Sequence, residues 1–300
     1  MILPKPLKKG DTIGIVAPAG KIAAEAIHYA EKLLHSMGYQ VVLGKNVFNT
    51  FHRFAGNDAH RAADLQEMLN RTDIDTILCA RGGYGTLRII DKIDFTHYRK
   101  QPKWLVGFSD ITVLHAALQN CLGIASLHGP MPKNFCDKSK EDEDLVNLFK
   151  VLHGHRPAYT IRPHDHNRIG EAEGVLSGGN LALLYGLRAT PYDTDPQGKI
   201  LFIEDVGEHL YHLDRMMHNL KISGFLADLS GMVVGDFTEM KDNDEPFGQS
   251  AYDIIKAAVD DYDYPVLFGF PAGHSHLNQP LIMGHNVNLQ VTDDVCQLIF

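Results

Sequence analysis

Short, wholly apolar runs separated by amphipathic stretches dominate the first half of the chain. Residues 12–17 (TIGIVA) read as a buried strand that ends in a Pro-Ala-Gly turn. Residues 22–37 then repeat apolar positions at helical spacing and stop at Gly38. The same pattern predicts strands at 40–43, 76–80 (TILCA) and 104–108 (WLVGF), and helices over 58–69 and 111–119. A strand that is apolar at every position needs cover on both faces, so the alternation predicts a parallel sheet in an α/β fold.

The pattern changes near residue 154. Residues 154–173 are polar and rich in His, Pro and Arg, and read as a linker or crossover. Beyond them come a strand at 174–176, the Gly-rich segment SGGN (177–180), a helix over 181–187 and a strand at 200–204 (ILFIE). A helix over 210–220, strands at 231–235 and 266–268, and a hairpin of 287–291 and 295–299 around Asp293-Asp294 complete the chain. The expected organisation is a first domain over 1–153, a linker over 154–173 and a second α/β domain over 174–300.

Composition narrows the function. The 300 residues carry a net charge of −9 and no long Lys/Arg run, which argues against a nucleic-acid partner. Cys79, Cys121, Cys136 and Cys296 are scattered, so neither a disulfide framework nor a paired-cysteine zinc site is expected. No stretch approaches the roughly 18 apolar residues of a membrane span. The apolar run at 13–17 is too short for a secretory signal core, so a cytoplasmic protein is expected.

Four segments carry candidate chemistry. In WLVGFSDIT, Ser109 stands between a strand and a helix, at the carboxyl end of a parallel strand where ligands bind. Taken alone, a serine there reads more readily as an ordinary helix cap, and GFSDI is not a GxSxG elbow. In RGGYGT, Gly82 and Gly83 let backbone amides approach a developing oxyanion, or simply make a tight turn. The spacing is not that of a dinucleotide fingerprint, so no nicotinamide cofactor is expected. In ILFIEDVGE, Glu204 closes an apolar strand, and Asp205, pointing the other way, competes with it for an acidic role. In GFPAGHSHLNQP, His274 sits in a Gly/Pro-rich loop with a side chain suited to general-base work, and His276 is its rival. The chain has 17 histidines but no HExxH, and no metal is expected.

Taken together the motifs resemble the LD-carboxypeptidase family, the serine peptidases of the S66 type. The likeness runs from KKGDTIGIVAPAG through RFAGNDAHRAADLQ, RGGYGTLRII and GFSDITVLH, and on through HGPM, LSGGNLALLYGLRATPY, LFIEDVGEHLYHLDRM and GFPAGHSHLNQPLIMG. The resemblance implies Ser109 as nucleophile, Glu204 and His274 as its partners, and backbone oxyanion donors at Asp110 and at Gly82 or Gly83. It implies an N-terminal Rossmann-like (flavodoxin-like) domain, a C-terminal α/β domain with a β-rich core, and a homodimer. The reaction it implies is hydrolysis of the amide before a terminal D-residue, D-alanine of a cytoplasmic murein tetrapeptide. Arg81, or a backbone nest near Gly82, is the candidate anchor for the terminal carboxylate, and His276 a candidate substrate contact. Two segments depart from the family pattern: HSHLNQP is unusually rich in histidine, and RATPY places Arg188 and Ala189 where L-x-G-T-P-Y is expected.

Two other readings remain. Some members of the family resemble self-immunity hydrolases that cleave peptidyl or aminoacyl sulfamoyl-adenylates of the microcin C type. That role calls for an aromatic loop to stack an adenine, whereas Trp104, the one tryptophan, begins a core strand. A non-catalytic binding protein on a Rossmann-like scaffold would use Ser109 only as a cap.

Overall fold

A computed structural model describes residues 1–136 and 138–300. They form two compact units, Met1–His155 with Gln279–Ile282, and Arg156–Asn278 with Met283–Phe300.

In the first unit, β1 (Thr12–Val16), β2 (Gln40–Leu43), β3 (Thr76–Cys79), β4 (Trp104–Gly107) and β5 (Ser126–His128) pair in parallel in the order β5-β4-β3-β1-β2. Every residue of β3 and β4 is buried, as their unbroken apolar sequences require. The helix Ala24–Ser36 buries Ile27, Ala30 and Leu34, spaced three and four apart. The segment after Ser109 is less regular than its periodicity predicts. A tight turn over Ser109–Ile111 leads into the α-helix Thr112–Ala116, which widens into a π-helical turn over Ala117–Leu122.

The second unit holds β6 (Ala158–Ile161), β7 (Gly170–Asn180), β8 (Lys199–Val206), β9 (Gly231–Thr238) and β10 (Val266–Phe268). Leu281–Met283 (β11) lies beside β5 at the edge of the first sheet. β12 (Asn286–Val291) and β13 (Cys296–Ile299) form the terminal hairpin. The second sheet runs β10-β9-β8-β7-β12-β13-β6. Its first four strands are parallel and the rest antiparallel. Residues 154–173 contain β6 and the first residues of β7, whose alternating exposure suits a half-solvated antiparallel strand. The glycines of SGGN continue β7 instead of ending it. A Cβ on Gly178 would lie 1.9 Å from the Phe202 carbonyl oxygen, so no other residue fits at that crossing.

The chain is thus α/β in two parts, a parallel sheet followed by a mixed, β-rich one. Among the described residues no helix is long and apolar enough to cross a membrane.

Candidate active site

The first unit concentrates its candidate residues at the carboxyl ends of β1, β3 and β4. Ser109 follows β4 with φ at +63°, a left-handed conformation that costs a residue bearing a Cβ about 1–2 kcal/mol. Such strain at a strand-to-helix turn lifts a side chain out of the sheet and clusters at reactive sites. Ser109 itself is half-buried.

The loop after β3 lies directly against this turn. A Cβ on Gly82 would stand 2.8 Å from the Ser109 Cβ, 2.9 Å from its Oγ and 3.3 Å from the Asp110 amide nitrogen. Only glycine permits that approach. Gly83 faces elsewhere, with Gly20 as its nearest neighbour. Asp110 is fully buried, and its Oδ2 accepts a 2.8 Å hydrogen bond from the Thr86 amide. Burial raises its pKa, and the Thr86 hydrogen bond and the Arg61 charge oppose the rise.

Arg81 folds back so that Nη1 donates to the Lys21 carbonyl at 2.8 Å. Burial and then the neighbouring Arg53 charge lower its pKa. Among the described residues neither Arg81 nor Arg53 forms a salt bridge, which leaves two guanidinium groups near each other without a carboxylate.

The second unit presents side chains from the carboxyl ends of β7, β8 and β9 and from the loop after β10. Glu204 is completely buried at the end of β8, and its Oε2 lies 2.6 Å from the His274 Nδ1. A carboxylate only accepts, so the proton of the neutral ring sits on Nδ1. The pleat sends Asp205 the other way. Its carboxylate takes the Asn180 Nδ2 at 2.8 Å and the Ala182 amide at 2.9 Å, at the start of the helix Leu181–Leu187. Burial, and then the charge of Glu204, push the Asp205 carboxyl up to about 7. Glu204, not Asp205, therefore pairs with the loop histidine, and Asp205 builds the backbone around it.

Two residues that sequence reasoning passed over hold the His274 loop. Gly273 has φ at +139°, and a Cβ there would meet Glu204 Oε2 and the Asp236 Cβ, each at 3.1 Å. Asp236, near the end of β9, accepts a hydrogen bond from the Ser275 hydroxyl beside His274. The glycine before His274 was a usable signal, because a loop that must pack flat on a buried carboxylate excludes a side chain. Asp236 gave none, since its role depends on a partner 39 positions away. His276 is exposed, two residues beyond the Glu204 pairing. Among the described residues no three His, Cys, Asp or Glu side chains gather as a metal ion would require.

Comparison with known proteins identifies the family. Residues 13–129 match the LD-carboxypeptidase N-terminal domain, and residues 173–289 match the LD-carboxypeptidase C-terminal domain. A "Probable murein peptide carboxypeptidase" of Bacillus subtilis is 38% identical over 274 residues, covering 90% of this chain and 86% of that protein. The crystal structure of muramoyltetrapeptide carboxypeptidase from Oxalobacter formigenes superimposes with a TM-score of 0.87 at 31% identity, covering 96% of this chain and 98% of that one. The microcin C7 self-immunity protein MccF of Escherichia coli is 25% identical over 332 residues, covering 97% of this chain and 96% of its own. With both domains matched in chain order, and a relative well above 30% identity across nine-tenths of the sequence, the chain belongs to the LD-carboxypeptidase family of serine peptidases and is a carboxypeptidase-type hydrolase.

Proposed function

We propose that the protein is a serine-type LD-carboxypeptidase that removes the terminal D-alanine from murein tetrapeptides in the cytoplasm, as part of cell-wall recycling. Ser109 Oγ attacks the scissile carbonyl carbon and passes its proton to His274 Nε2. Glu204 holds the imidazole in the required tautomer and stabilises the imidazolium. The backbone amide of Asp110 and one from the Gly82–Gly83 pair receive the developing oxyanion. His274 then protonates the departing amine, D-alanine leaves, and a water activated by His274 hydrolyses the acyl-enzyme. Arg81, with Arg53 beside it, is the anchor proposed for the terminal carboxylate, and His276 a contact further along the substrate. The resemblance extends the proposal to a homodimer.

The observation that carries the reading is the Glu204–His274 hydrogen bond at 2.6 Å, with Glu204 completely buried. Burying a carboxylate costs several kcal/mol unless it is paired, and orienting a base is a function that justifies it. The similarity to the murein peptide carboxypeptidases of Bacillus subtilis and Oxalobacter formigenes supports a murein peptide as substrate. The MccF relative supports the alternative of sulfamoyl-adenylate amides. Trp104 is 1% exposed within β4, so its ring offers no stacking surface for a base, which favours the muropeptide.

The test is incubation with a tetrapeptide stem ending in D-alanine, with mass detection of the free amino acid. A matched peptide ending in L-alanine should be cut roughly 30- to 4,000-fold more slowly. Inverting the terminal carbon sacrifices a charge-assisted contact of about 2–5 kcal/mol. Equal rates on the two peptides would remove the LD assignment.

A further inference from the structure

Arg61 is buried, and its side chain has no solvent exposure. It sits on the helix Asp58–Asn70. Leaving a guanidinium there is costly unless its donors are used. Nη1 donates to the Pro18 carbonyl at 2.5 Å and to the Gly85 carbonyl at 2.8 Å, while Nη2 meets Asp58, itself held by Arg88. The Phe54 ring covers the group, its centroid 5.0 Å away. One side chain thereby ties the loop after β1 to the loop after β3. Residue 85 must be glycine to receive it, because φ there is +135° and a Cβ would lie 2.6 Å from Arg61 Nη1. The next residue, Thr86, donates its amide to Asp110, the neighbour of Ser109. Gly82, in the same loop, backs the Ser109 side chain.

We propose that Arg61 is a positioning residue for hydrolysis: its planar fork fixes the loop over 82–86, and through Thr86 and Asp110 it holds the strained Ser109 turn and its neighbouring amides in register. This rests on the reading of Ser109 as nucleophile. A rigid aliphatic core could support the loop's position, but it could not bind two carbonyls from different loops at once. Nor would it place a positive charge near Asp110 to oppose the rise in pKa that burial causes. Asp110 is faced by Arg61 and by the Cys79 thiol, which burial holds protonated.

The experiment uses the full chain and the D-alanine tetrapeptide, with Arg61→Lys, Arg61→Ala and Ser109→Ala measured together. Arg61→Ala should lower kcat about 100-fold, the scale expected when a reacting group is misplaced by about 1 Å, with KM little changed. Guanidinium at non-denaturing concentration should restore part of that loss and leave the parent unaffected. Because Arg61 opposes the upward pull of burial on Asp110, its removal lets Asp110 protonate at higher pH. The acid limb of kcat/KM should therefore move upward. Arg61→Lys, which keeps the charge and loses the fork, should fold and show an intermediate kcat with the acid limb unmoved. Should Arg61→Ala fail to fold, Arg61→Lys decides alone: parental kcat, or a defect confined to KM, overturns the proposal. Loss in Arg61→Ala without rescue or change in the pH profile also overturns it, by reducing Arg61 to a stabilising role. A fully active Ser109→Ala would instead show that the nucleophile assignment had failed.

Discussion

Ser109 and Ala189 adopt nearly the same disfavoured backbone conformation, with φ at +63° and +61°, in different units and to different ends. Ser109 turns sharply between β4 and the next helix, where the turn exposes a hydroxyl beside Gly82 and the Asp110 amide. Ala189 follows the helix Leu181–Leu187, where left-handed residues commonly terminate helices and glycine is the usual occupant. Its amide donates to Asp193 at 2.8 Å, and Arg188 reaches the same carboxylate at 2.9 Å, so side chains hold a turn that has no glycine. Position 189 is also where the family pattern L-x-G-T-P-Y departs in this chain. The same strain carries the proposed nucleophile in one place and only ends a helix in the other.

Glycine substitution separates the two. The largest effect belongs to Ser109. Ser109→Gly should abolish hydrolysis, a loss on the order of 10^6-fold for a triad nucleophile. It should also melt higher than Ser109→Ala, since it relieves about 1 kcal/mol of strain. Calorimetry beside the D-alanine assay reads both, and an active Ser109→Gly would end the nucleophile assignment.

Next come the partners in the second unit, which are held by hydrogen bonding, not strain. Glu204→Gln and His274→Ala should each reduce kcat by roughly 10^3- to 10^5-fold, and the double variant should be scarcely worse than the poorer single, because the residues act as a unit. His276→Ala should stay within about tenfold of the parent, as expected for loss of one exposed hydrogen bond. Steady-state kinetics on the four variants checks this. An inactive His276→Ala beside a healthy His274→Ala would reverse the choice of base.

The smallest effect is at the other strained turn. Ala189→Gly should leave kcat and KM unchanged and raise Tm by roughly 2–4 °C, the shift expected from about 1 kcal/mol in a chain of this size class. A kinetic defect there would mean that the Leu187–Asp193 turn takes part in the reaction, and the contrast with Ser109 would collapse.

Much of this was legible in the chain. The apolar runs of β1, β3, β4 and β8 could be buried nowhere but in a covered sheet, and their ends located Ser109 and Glu204. The short strands β5, β6 and β11 escaped notice. Three or four residues carry too little periodicity to distinguish a strand from a loop, and their pairing comes from distant partners. Glu204 and Asp205 could not be ranked by sequence, because adjacent acids look alike until the pleat gives each its own surroundings.

The sequence by itself determined the layered α/β plan, the family, and the residue types available for catalysis, because burial periodicity and motif order are properties of the chain. Tertiary structure alone decided which groups meet. It paired His274 with Glu204 across 70 positions, set Gly82 against Ser109, and buried Arg61 with its guanidinium on the Pro18 and Gly85 carbonyls. Hydrogen bonds and close approaches depend on distances of a few tenths of an ångström between segments remote in the chain, and no local pattern of residues encodes them.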